Sequence, residues 1–177
     1  MRLIATLLST ALLGLAGTGA SAAEAATDRG AYLVQTMGCG DCHSPMVRGP
    51  NGMVHDVARG LSGHPEGMTL PPPPAPSGPW VTSGVGTNTA FAGPWGVSYA
   101  INLTPDAGTG IGAWKAADFV AAMRTGKHLG VGRRILPPMP WHGLALMTDA
   151  DLNAIFDFLM RQPAVRNAVP DASPPGR

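Results

Sequence analysis

Two thiols and an imidazole stand together at Cys39-Gly-Asp-Cys42-His43, and each residue type in that spacing has a chemical duty. Two cysteines three positions apart can add across the two vinyl groups of a haem, whose separation on a rigid macrocycle is fixed. The adjacent imidazole then reaches the iron from the same face. The chain holds only 2 cysteines, and a disulfide between them would close a very small loop and staple almost nothing. A thioredoxin-like redox pair wants a βαβ pattern around it, which this sequence lacks. A structural zinc site wants a second pair of ligands, whereas His55, His64, His128 and His142 are scattered singly. These residues therefore point to one haem c, held covalently by Cys39 and Cys42, with His43 on the iron.

An electron-carrying iron keeps six ligands, so that its shell barely changes between oxidation states. The sixth should be a Met or His far along the chain, on a loop able to approach the other face of the haem. Met139 fits best: it lies in Leu136-Pro-Pro-Met-Pro-Trp141, where flanking prolines fix φ and remove backbone donors, and Trp141 can cover the thioether. Met147 is a rival, although its place just before Thr148 suits a hydrophobic staple, and His142 is another. Met123 and Met160 read as core filler. A thioether is a soft ligand that favours ferrous iron, so a positive midpoint potential is expected. The second ring N–H of His43 is expected to meet a backbone carbonyl, with Pro45 as its source. Trp95, Tyr99, Leu103, Ile111, Trp114, Phe119 and Ile135 are weaker candidates for the cavity wall, and Arg133, Arg134 and Asn102 for the haem propionates.

Helices must deliver these groups. The first is expected from about Arg29 to Met37, capped by Thr27 or Asp28, and it runs straight into Cys39. Another should carry Phe119, Val120, Ala122 and Met123 on one face and stop at Gly126. The last has Thr148-x-x-Asp151 as a capping box and Leu152, Ile155, Phe156 and Leu159 at i, i+3, i+4 and i+7. Residues 44–102 are dense in Pro and Gly without helical or strand periodicity and read as irregular backbone. Trp80, Phe91, Trp95 and Tyr99, interleaved there, mark an ordered wrap around something apolar. The tail from Pro170 is expected to fray.

At the other end, Arg2, an apolar stretch from Leu3 to Leu15 and the small residues Gly19 to Ala23 have the form of a secretory leader over residues 1–23. The remainder, 24–177, would be one exported unit with an ordered core over 29–169. Lys plus Arg number 12 and Asp plus Glu 11, so nothing electrostatic favours nucleic acid or an anionic membrane. No later segment is apolar for long enough to span a bilayer, so membrane contact is expected only through a partner complex.

Five motifs occur in order: Cys39-Gly-Asp-Cys42-His43, Asn102-Leu-Thr-Pro105, Thr109-Gly-Ile-Gly-Ala-Trp114 with Asp118-Phe119, Leu136-Pro-Pro-Met-Pro-Trp141, and Met147-Thr-Asp-Ala-Asp-Leu152. Together they resemble class I c-type cytochromes, in particular the domains of the cytochrome subunits of bacterial alcohol and gluconate dehydrogenases. The resemblance implies an all-α cytochrome c fold of three or more helices around one haem, here with a long Pro/Gly-rich loop insertion. It implies His43 and Met139 as the two axial ligands. It also implies a periplasmic electron carrier or cytochrome subunit, not itself a catalyst, between a dehydrogenase and an oxidase or another cytochrome. Those subunits usually carry three such domains, and this chain carries one. Lys115 stands where that family often has a small hydroxyl residue to cap the next helix.

Overall fold

The computed structural model describes residues 22–75 and 78–175. The leader expected over residues 1–23 lies outside them apart from its last two positions. Helix α1 spans Ala22–Thr36 and begins earlier than expected, with Thr27 and Asp28 inside it. The alanines at 22, 23, 25 and 26 are strong helix formers and carry the helix back past those residues. A single turn, α2 (Cys39–His43), follows. Helix α3 spans Ala116–Thr125 and ends where expected, with Gly126 in the left-handed conformation. A short α4 (Trp141–Leu144) and the long α5 (Asp149–Met160) complete the helices.

Of the N-terminal caps expected from the sequence, only the Thr148 half of the box at α5 forms. Thr148 Oγ1 accepts the Asp151 N–H at 3.1 Å, while the Asp151 carboxylate turns away to accept from Arg29 Nε at 2.9 Å on α1. At α3 the Lys115 side chain has no acceptor to offer the helix. Asp118 Oδ2 instead accepts the Lys115 N–H at 2.9 Å, so the carboxylate half of a capping box does the work.

The expectation of an all-α fold is wrong. Residues 44–102 carry five short strands: β1 (Met46–Gly49), β2 (Gly52–His55), β3 (Ser83–Gly84), β4 (Ala90–Gly93) and β5 (Gly96–Tyr99). They form two antiparallel sheets, one of β1 and β2 and one in the order β3-β4-β5. With at most four residues each, the strands are too short for period-2 alternation to stand out, and β2 is exposed at every position. Two of the three hairpins, β1-β2 and β4-β5, do leave a mark: they close on Gly-Pro-x-Gly, at Gly49–Gly52 and Gly93–Gly96, with the two glycines paired across each turn. Proline presets φ at the second turn position, and Gly52 and Gly96 take φ of 127° and 95°. The tail is held as well: Ser173 and Val97 exchange backbone hydrogen bonds of 2.9 and 3.0 Å, which replaces the expected fraying there.

The core gathers the inner faces of four helices: Leu33 and Val34 of α1, Phe119, Ala122 and Met123 of α3, Leu144 of α4, and Leu152, Ile155, Phe156 and Leu159 of α5. The Phe119 and Phe156 rings meet at 5.7 Å. Where α1 crosses α5, Gly30 lets the backbones touch. A Cβ there would run into the Ala154 carbonyl oxygen and stand 2.8 Å from Phe158 Cβ. Gly30→Ala is therefore expected to destabilise the fold by about 1–3 kcal/mol through overpacking, read as a lower urea midpoint at unchanged m. Among the described residues no helix is long and apolar enough to cross a membrane.

Candidate functional site

Because α2 is helical, Cys39, Cys42 and His43 fall at i, i+3 and i+4 and share one face. That face forms part of the wall of an apolar cavity of about 360 Å³. Further parts of the wall come from the core faces of α3 and α5, through Phe119, Ala122, Met123, Ile155 and Leu159, and from the Leu136–Pro140 strap, which brings Met139 to the same cavity. All four residues singled out in the sequence thus line one space. Core residues of α3, α4 and α5 are also part of the wall of this cavity, so its contents would be part of the core.

His43 is buried, and its Nδ1 lies 2.8 Å from the Ile101 carbonyl oxygen. A carbonyl can only accept, so the proton sits on Nδ1 and Nε2 keeps its lone pair for a metal. Burial pulls the imidazole pKa down, opposed by that hydrogen bond, and so favours the neutral ring, the form able to ligate a metal. The expected carbonyl was that of Pro45. Its oxygen instead accepts the Asp56 N–H at 2.8 Å, and the partner of His43 comes from 58 residues downstream. A main-chain carbonyl can come from any residue type, so no sequence signal could have singled out Ile101.

The two thiols are free and partly exposed. Burial pushes the Cys39 thiol up to about 11 and raises that of Cys42 as well, with the Asp41 carboxylate adding to both. Redox-active Cys-x-x-Cys pairs need a lowered pKa to offer a thiolate, so this environment speaks against disulfide exchange. Among the described residues no three His, Cys, Asp or Glu side chains cluster as a metal ion would require. An apolar cavity with two neutral thiols and one neutral imidazole on a single helical face does suit a haem.

The rival ligands lie elsewhere. His142 is exposed and stacks on Trp141 at 3.8 Å, and Met147 packs at the edge of the core; neither lines the cavity. Trp141 does not cover Met139 from within the cavity either, because its ring lies against Gly126. The strap is tied instead through Ser98 of β5, whose Oγ donates to the Pro137 carbonyl at 2.6 Å.

Of the weaker wall candidates, Tyr99, Leu103, Ile111, Trp114, Phe119 and Ile135 line the cavity and Trp95 does not. The Trp95 ring folds over Gly93 and its Nε1 donates to Ser98 Oγ at 3.3 Å. Trp80, expected in the wrap, is 76% exposed. Arg133 lines the cavity together with His128, and Arg134 does not.

Asn102 is buried and fully committed within the protein. Its Nδ2 donates to Val165 O at 2.8 Å and Thr109 Oγ1 at 3.2 Å, and its Oδ1 accepts from Thr104 N at 2.9 Å and Thr104 Oγ1 at 2.7 Å. It has no capacity left for a propionate. Asn102→Ala should strand buried backbone groups and lower stability by about 2–4 kcal/mol in denaturant titration.

No protein-family model matches the chain. It is 42% identical over 77 residues to a nicotinate dehydrogenase subunit of Pseudomonas putida, covering 44% of this chain and 6% of that protein. It is 30% identical over 137 residues to the gluconate 2-dehydrogenase cytochrome c subunit of Pantoea cypripedii, covering 77% and 23%. With the cytochrome c subunit of the quinone alcohol dehydrogenase of Gluconobacter oxydans it shares 36% over 85 residues, covering 46% and 18%. The chain thus spans less than a quarter of the length of each of these curated relatives. In sequence it is a relative of the cytochrome c subunits of bacterial dehydrogenases.

Proposed function

We propose that the chain is a periplasmic c-type cytochrome that moves one electron at a time, from a dehydrogenase towards a terminal oxidase or another cytochrome. One juxtaposition carries this reading: Cys39, Cys42, His43 and Met139 on the wall of a single apolar cavity, with the His43 Nδ1–H committed to Ile101. Cys39 and Cys42 would hold the haem by thioether links, and His43 Nε2 and the Met139 sulfur would ligate its iron. When bound, the haem supplies a one-electron iron couple.

The chain's own residues do the rest. The Ile101 carbonyl orients the imidazole and raises its basicity, the apolar wall excludes water, and Arg133 offers a cation in the cavity lining for a propionate. With imidazole and thioether both engaged, no position is left for a substrate, and reaction is confined to outer-sphere transfer with a redox partner protein. Contact with a membrane would come through such a partner. The leader over residues 1–23 would export the chain, and 24–177 would be the haem-bearing part.

Visible spectroscopy of the purified mature protein tests this. A low-spin c-type spectrum, a weak far-red band when oxidised and indifference to carbon monoxide when reduced are expected. Ready carbon monoxide binding by the reduced parent protein would reject the closed six-ligand site.

A further inference from the structure

The hydrogen bond that orients His43 is itself held from outside the site. Residues Leu61 to His64 run as an arm between the two partners of that bond. At one end Gly63 N–H donates to the His43 carbonyl at 2.7 Å, and Leu61 N–H donates to Ser44 Oγ at 2.9 Å. At the other, His64 N–H donates to the Ala100 carbonyl at 2.9 Å and Leu103 N–H to the Leu61 carbonyl at 2.8 Å, so Ile101 is bracketed on both sides. Gly63 is buried with φ of 80°, and a Cβ there would strike the Ala100 carbonyl oxygen and stand 2.6 Å from the Ile101 carbonyl oxygen, the atom that accepts from His43. The arm is fastened in turn by Asn167, whose Nδ2 donates to the Ser62 and His64 carbonyls at 2.7 and 2.8 Å.

We infer that Gly63 is a positioning residue for the His43 imidazole, and that the Leu61–His64 arm, by fixing the Ile101 carbonyl against Nδ1–H, sets the reduction potential of the haem. The inference rests on His43 being the iron ligand proposed above. A firm Nδ1–H···O=C bond makes the imidazole a better donor and stabilises ferric iron; displacing the carbonyl weakens that donation and raises the potential. The Leu61–His64 arm thereby contributes to the redox couple as well as to the fold.

The test uses holoprotein variants matched for haem content by their pyridine spectra, with midpoint potential and the His43 Nδ1–H proton resonance as readouts. Gly63→Ala should raise the potential and move that resonance upfield. Asn167→Ala, which loosens the arm without touching His43 or Ile101, should shift both in the same sense by less, and it decides the matter if Gly63→Ala does not fold. Gly67→Ala is the control: Gly67 has φ of 78° and a Cβ added there would meet nothing within 4 Å, so this variant should lose stability yet keep the parental potential. Parental potential and resonance in the folded arm variants would overturn the inference, as would a Gly67→Ala shift equal to that of Gly63→Ala. A parent protein lacking haem would overturn this and the proposed function together.

Discussion

Cys39→Ala combined with Cys42→Ala is expected to abolish covalent haem and leave a chain that accumulates poorly. The reason is the position of the cavity. Its walls include the inner faces of α3 and α5, so a chain without the proposed haem would hold a hole in its core rather than a bare surface groove. At roughly 24 cal/mol per Å³, a hole of about 360 Å³ is worth on the order of 9 kcal/mol. That is an upper figure, since the cavity partly opens to solvent and the chain can collapse into it. It is still comparable with the entire stability of a typical domain, roughly 5–15 kcal/mol. Secreted yield, protease resistance and thermal unfolding check the outcome. A double variant that folded as firmly as the parent would mean the haem is not part of the core.

Met139→Ala should leave the covalent links intact and change the iron. The far-red band of the oxidised protein should vanish, the reduced protein should bind carbon monoxide, and the midpoint potential should fall by on the order of 0.1 V or more, within the ~0.8 V that axial ligands span. The stability loss should be modest, because Met139 is only partly buried on a strap whose other anchor, Ser98 Oγ on Pro137, is untouched. Met147→Ala is the discriminating partner. Met147 packs at the mouth of α5 outside the cavity, so its truncation should lower stability without altering the spectrum. If the two variants exchanged these phenotypes, the thioether ligand would be Met147.

What the sequence disclosed and what it hid divide along physical lines. That Cys39, Cys42 and His43 share one face of the cavity wall was legible because they stand at i, i+3 and i+4 of a single turn. Helix α5 was legible because Leu152, Ile155, Phe156 and Leu159 repeat at helical spacing over about two turns, and Gly126 marked the end of α3. The five strands were missed because a strand of two to four residues has no period to detect. The recurring Gly-Pro-x-Gly at positions 49–52 and 93–96 was the signal to be read, and it marks two of the three hairpins in a supposed loop. Ile101 and Gly63 had no such mark: one acts through its carbonyl, the other through the absence of a side chain. Asn102 was singled out for the wrong duty, since a polar residue beside a cofactor motif looks the same whether it faces the ligand or, as here, ties Val165 to Thr104.

Intact mass spectrometry of the secreted protein tests the central claim most directly. The polypeptide should carry the added mass of one haem that survives acid and organic solvent, and digestion should place it on the peptide containing Cys39 and Cys42. A spectrum showing the bare polypeptide, from cells that mature other c-type cytochromes, would contradict the account.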